Sequence, residues 1–279
     1  MANTITVYTD EQIMRCLLAH DFSAIGRVFT DDVITKIKVA AFYQTANLDE
    51  VHLPALKDVG GYACYGSSIG TLDLPWNLLE SIGANAFKES FSGLPINLAL
   101  PKVTALGSGA FAWTSSNKNT RLQTVSLALW TGISGSGGIF GYCSALADVS
   151  APLLTSIPTN MFQYCTSLEE VSFPKVASIG SGAFSGCSRL KKIDIGGAVT
   201  TMTATFLNSA VPLEAFILRG VTTVPTLGSS VFSNTTVDNG TGYIYVPGSL
   251  LATFQVASNW STYSAQIRAI EDYPDVCGN

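Results

Sequence analysis

Phenylalanine returns at a fixed interval through the middle of this chain: Phe140, Phe162, Phe184 and Phe206 each stand 22 residues apart. Cys143, Cys165 and Cys187 keep the same step, as do Leu146, Leu168 and Leu190, then Val149, Val171 and Ile193, and Pro152 with Pro174. A chain that repeats in so many registers at once is building one supersecondary unit over and over. A period of this length is the signature of a solenoid, in which each unit buries its apolar face only against its neighbours. Every inward residue must then pack on its own copies about 4.8 Å above and below.

The pattern extends less strictly in both directions. Taking Phe42, Cys64, Phe87, Phe111, Phe140, Phe162, Phe184, Phe206 and Phe232 as anchors, the intervals are 22, 23, 24, 29, 22, 22, 22 and 26, which gives about nine rungs. The insertions "SSNKNTR" and "TGISGSGG" are polar or glycine-rich and read as surface loops. Within a rung, Val171 and Phe173 alternate with Glu170 and Ser172, the period of a half-buried strand. Pro174 cannot donate to a ladder and marks the strand end. Val176 and Ile179 turn inward, Gly180 permits a tight turn, and Ala183, Phe184, Cys187 and Leu190 return the chain to the core.

The motif I/V-G-x-x-A-F-x-x-C-x-x-L-x-x-V-x-L/F-P resembles the BspA-like leucine-rich repeats of bacterial surface proteins over roughly residues 34–247. The resemblance implies a curved right-handed solenoid with a parallel strand ladder on one face. It also implies protein binding or adhesion rather than catalysis. Residues 1–33 are expected to form an N-terminal cap with a short helix, since Ile13, Met14, Leu17 and Leu18 fall at helical spacing after Asp10. Residues 248–279 are expected to form a C-terminal cap with short helices, from Ser249 through Trp260, Tyr263, Ile267 and Ile270. Caps are needed because an open solenoid end exposes apolar surface and unpaired strand backbone.

Composition narrows the functions. With 47% hydrophobic and 13% charged residues the chain is too apolar for disorder. No run approaches the roughly 18 uncharged apolar residues of a membrane helix, so membrane insertion is not expected. The net charge of −5 argues against nucleic acid as a partner. The N-terminal "MANTITVYTDEQIMRCLLAHDF" lacks the basic and apolar regions of a Sec signal peptide. That leaves open a virion or cell-surface location reached by another route, or a cytoplasmic one. The six cysteines form no CxxC pair, and His20 and His52 are the two histidines. Neither a metal site, a cofactor nor a catalytic constellation is expected, and the cysteines read as buried core thiols.

The outward positions of the strands carry the candidate binding residues: Asp148, Glu170, Ser172, Lys192, Asp194, Ile217, Tyr243 and Tyr245. The middle of this face is small, polar and acidic; its C-terminal end is apolar and aromatic. Two readings of Ile217, Tyr243 and Tyr245 stand side by side: exposed anchors for a ligand, or a patch covered by the C-terminal cap. The expected function is a non-enzymatic recognition or adhesion module that binds a protein or glycan at a bacterial or phage surface, a virion or tail among them. The alternative is a structural spacer or decoration subunit. The sequence leaves the oligomeric state open.

Overall fold

The computed structural model describes residues 28–46, 48–90, 94–132, 137–202, 205–207 and 211–278. Nine face strands follow the anticipated rungs: Glu50–His52, Thr71–Asp73, Asn97–Ala99, Thr124–Ser126, Asp148–Ser150, Glu170–Phe173, Lys192–Ile195, Ala215–Leu218 and Tyr243–Val246. The pairings among them are parallel and in the register of the repeat, so Glu170 and Ser172 lie beside Lys192 and Asp194. A tenth, Val28–Thr30, pairs with Glu50–His52. The ladder therefore begins before residue 34, in the stretch expected to be cap. Phe29 is the reason: it is buried edge-on against Phe42, at 5.8 Å between ring centroids. The helical spacing of Ile13, Met14, Leu17 and Leu18 lies outside the described residues.

Each rung has two further lines of backbone pairing. Two-residue strands form a second parallel ladder: Lys36–Ile37, Asp58–Val59, Ser81–Ile82 and Ala105–Leu106 in one run, Ser156–Ile157 with Ser178–Ile179, and Thr201–Met202 with Thr226–Leu227. A third line passes through the anchors themselves. The amide of Phe42 donates to the carbonyl of Ala63, Cys64 to Ala86, Phe87 to Ala110, Phe140 to Met161 and Phe162 to Ala183. Buried backbone groups must be paired, and this line satisfies the turn that carries the Ala-Phe pair.

The tight turn expected at Gly180 divides into two jobs. Gly60, Gly83, Gly107 and Gly180 share one position, where a Cβ would come within 3.0 Å of the preceding rung's backbone; at Gly60 it would stand 2.5 Å from the carbonyl carbon of Lys38. This glycine serves close approach. The left-handed conformation falls two residues later, at Gly182 (φ 64°), where other rungs hold Tyr62, Asn85 and Asn160 at φ 53–57°.

One hydrophobic core runs through the rungs. Phe87, Phe111, Phe140, Phe162 and Phe184 stack in a column with centroid separations of 5.4, 5.7, 6.0 and 5.5 Å and interplanar angles of 5–16°. Cysteines fill a neighbouring column as free, buried thiols. Each donates to the carbonyl of the phenylalanine one rung earlier: Cys143 to Phe111 (3.4 Å), Cys165 to Phe140 (3.2 Å) and Cys187 to Phe162 (3.1 Å). Burial pushes the Cys187 thiol up to about 12 and the Cys165 thiol well above its ordinary value. The column thus combines apolar packing with a weak donor for a carbonyl.

At the C-terminal end, Leu251–Val256 is a short α-helix, flanked by 3-10 turns at Gly248–Leu250 and Trp260–Tyr263. Phe254, Trp260 and Tyr263 are buried there, and both the Trp260 and Tyr263 rings pack on Phe232. The short helices expected of this cap are interrupted by a strand at Ile267. Ile267–Ala269 is a parallel strand beside Tyr243–Val246. The last rung offers unpaired backbone, and a segment with a β-branched residue and alternating burial satisfies it better than another helical turn. The chain ends in a 3-10 turn, Ile270–Asp272, and a short helix, Pro274–Cys277. Among the described residues no helix is long and apolar enough to cross a membrane.

Candidate functional site

The face strands present two different surfaces. From Asp148–Ser150 to Glu170–Phe173 the outward side chains are exposed, and the burial pattern alternates as the pleat requires. Asp148, Ser150, Glu170, Ser172, Lys192 and Asp194 line a groove of about 550 Å³ with Val149, Val171 and the prolines that end the strands, Pro152 and Pro174. Five of the eight expected binding residues meet in this groove. Asp148 and Glu170 have no ion-pair partner among the described residues. Lys192 lies beside Glu170 in the ladder, yet its ammonium donates to the carbonyl of Val276 at 2.7 Å.

Toward the C-terminus the alternation is lost, because both sides of the strands are covered. In Ala215–Leu218 all four residues are buried, and in Tyr243–Val246 all but Tyr243. Of the two readings of Ile217, Tyr243 and Tyr245, open anchors or a covered patch, the structure shows the covered patch, and the site reading of Ile217 and Tyr245 as exposed is corrected. Register does point Ile217 and Tyr245 away from the core, but they are 0% and 4% exposed. With Ala215 and Cys277 they form a second, smaller apolar cluster, on which Tyr243, Ile270 and Val276 pack. The cover is the chain's own terminal segment, residues 270–278. Tyr273 meets the Tyr245 ring edge-on at 5.5 Å. The Tyr243 ring is overlaid by the Arg268 guanidinium at 4.8 Å.

Charged side chains fasten this segment by its backbone. Arg219 makes a bidentate pair with Asp194, through Nε to Oδ1 at 2.9 Å and Nη2 to Oδ2 at 2.8 Å. The same guanidinium donates to the carbonyls of Cys277 and Gly278. The hydrogen bonds and charge of Asp194 raise the Arg219 pKa further. Asp194 is only 9% exposed, a burial that an ionised carboxylate tolerates because it is paired. Burial also raises the Tyr245 phenol and the Cys277 thiol. Glu271 closes the other end by accepting from the Gly248 amide at 2.9 Å. Sequence reasoning offered the C-terminal cap as a cover but missed Arg219 and the part of residues 270–278 held through its carbonyls. Arg219 follows its strand rather than lying in it, and "YPDVCGN" has no period to read.

At the other end of the face, the pair Glu50 and His52 gains a third member from the next rung. His52 Nε2 lies 2.8 Å from Glu50 and Nδ1 lies 3.1 Å from Asp73. Two carboxylates engaging both ring nitrogens favour the imidazolium, and the His52 pKa is raised, chiefly by the bond to Glu50. No group of three or more His, Cys, Asp or Glu side chains among the described residues is arranged to hold a metal ion.

Among solved structures the chain is similar to the pneumococcal vaccine antigen PcpA, at 15% identity over 87% of this chain and 77% of that one, with a TM-score of 0.40. It is similar to a leucine rich cell surface protein from Faecalibacterium prausnitzii A2-165, at 23% identity over 84% and 67%, TM-score 0.39. A leucine-rich repeat protein from Bacteroides ovatus ATCC 8483 shares 16% identity over 87% and 83%, TM-score 0.34. No curated protein sequence matches the chain. The model of the BspA type leucine rich repeat region matches residues 22–127 and 136–244 in six copies. It spans well over half of the chain and the ladder of parallel face strands, and the chain therefore belongs to the BspA type leucine rich repeat family.

Proposed function

We propose that this chain is a non-catalytic recognition module that binds a protein partner at a bacterial or phage surface through the open part of its strand face. The observation that supports this most is the groove lined by Asp148, Ser150, Glu170, Ser172, Lys192 and Asp194, with two unpaired carboxylates at its rim. Unpaired charges on a rigid ladder favour a partner that presents lysine or arginine, and they steer encounter more than they add affinity. A protein is favoured over a glycan because no aromatic ring lines the groove on which a sugar could stack. Tyr245 is covered and Tyr243 is overlaid by Arg268. The family resemblance to repeats of bacterial surface proteins supports the location.

The test is attachment of the fluorescently labelled chain to intact bacterial cells. Attachment that is lost when the cells are shaved with protease, and kept when their glycans are oxidised with periodate, supports a protein partner. The reverse pattern assigns a glycan. No attachment to any untreated cell of a broad panel would replace this reading with that of a spacer or decoration subunit.

A further inference from the structure

The terminal segment lies on the strand face in the manner of a bound peptide. Its side chains touch the face at few places: Cys277 is buried outright, Ile270 and Val276 are half-buried, and Tyr273 meets Tyr245 edge-on, while Glu271, Asp272, Pro274 and Asp275 are exposed. Main chain also holds it, the carbonyls of Val276, Cys277 and Gly278 received by Lys192 and Arg219. Contacts of that kind do not depend on the identity of the residues that offer the carbonyls. Beneath lies an apolar floor of Ala215, Ile217 and Tyr245. Its carboxylates make no ion pair with the seat among the described residues: Arg219 is engaged by Asp194, Arg268 donates to the carbonyls of Ala265 and Ile267, and Glu271 accepts from the Gly248 amide.

We propose that the face around Lys192, Ile217, Arg219 and Tyr245 is a peptide-docking site, with residues 270–278 as its resident strap, and that its partner is an extended polypeptide segment with a small apolar side chain that replaces the strap. The partner supplies main-chain carbonyls to Lys192 and Arg219 and a side chain of the size of valine or cysteine to the apolar floor. Asp194 positions the Arg219 fork for this task. The site adjoins the groove across Lys192, so the proposal rests on the reading of the strand face as the recognition surface.

The experiment uses the full chain and a labelled synthetic decapeptide of residues 270–279, IEDYPDVCGN, under reducing conditions. Val276→Lys with Cys277→Lys puts two ammonium groups beside Lys192 and Arg219, where the strap is anchored, and should release it. The released chain should capture the peptide saturably and at least tenfold more tightly than the unaltered chain. It should capture a scrambled peptide more weakly, since the apolar floor then lacks its side chain, and adding Arg219→Ala should abolish capture. A folded, released chain that ignores the peptide, or binds the scrambled one equally, overturns the proposal. Should the released chain not fold, hydrogen exchange of the unaltered chain decides. Amides of residues 276–278 that open far faster than those of Ala215–Leu218 support a displaceable strap, and amides that open only together with that strand make it an integral cap. Peptide capture and cell attachment are separate readouts. Attachment lost while capture persists would sink the proposed function and leave this inference standing.

Discussion

At the residue scale, the repeat converts single side chains into columns, and a column makes its members hard to replace. Phe184 is fully buried, stacked on Phe162 at 5.5 Å. Phe184→Ala is expected to cost about 3–5 kcal/mol, the range for a buried phenylalanine truncated without collapse of its site. Urea denaturation measures it, and a loss below about 1 kcal/mol would place Phe184 outside the column. His52 gives a prediction in pH. Its pKa is raised in the folded state above 6.5, so the folded chain holds the proton more tightly. The stability this adds is fully present below pH 6.5 and is lost as pH rises through the raised folded value. The melting temperature of His52→Gln should lie below that of the unaltered chain at pH 5.5, and the gap should narrow by pH 8.5. A gap that widens with pH would contradict the arrangement with Glu50 and Asp73. The anchors, the cysteine column and the inward strand residues were legible in the sequence, because each is fixed by repetition. The division of labour between Gly180 and Gly182 was not, because close approach and left-handed geometry both select glycine.

At the scale of elements, burial along the face strands shows where the ladder meets the terminal segment. Glu170–Phe173 alternates, and Ala215–Leu218 does not. Alternation is a property of a strand with one wet side, and its loss reports a cover. The sequence placed Ile217 and Tyr245 on the outward side and offered two fates for them. It could not choose, because the cover consists of an aperiodic segment held through carbonyls, which leave no trace in residue identity. Ile267 misled for a related reason: its spacing from Trp260 and Tyr263 suits a helix, while the open edge of Tyr243–Val246 demands a strand. The Asp194–Arg219 pair ties the ladder to the strap and gives a prediction at this scale. Asp194→Asn and Arg219→Met should each lower stability by about 1–2 kcal/mol. That is less than a fully buried pair would lose, because Arg219 is one-third exposed. The double variant should lose clearly less than the sum of the two, since each single change strands the other's partner. Additive losses, measured by chemical denaturation, would mean that the two side chains act independently.

At the scale of the whole molecule, three lines of inter-rung pairing and one continuous core make a stiff array in which function falls to whatever the outward positions carry. About ten turns are formed, and the family model matches across residues 22–127 and 136–244. The geometry tolerates sequence change: Cys64 occupies an anchor position held elsewhere by phenylalanine, and its amide still pairs across the rungs. The central claim is that recognition belongs to the open strand face and not to the other sides of the coil. It is tested most directly by measuring attachment of labelled chain to bacterial cells for two matched charge variants. Asp148→Lys with Glu170→Lys changes the groove, and Ser178→Lys with Thr226→Lys changes exposed positions on the two-residue strands. The account predicts that the first weakens attachment about tenfold or more, roughly 1.4 kcal/mol or beyond, while the second stays within about twofold of the unaltered chain, with both still melting cooperatively. Equal attachment by both variants, or a loss confined to the second, would contradict it.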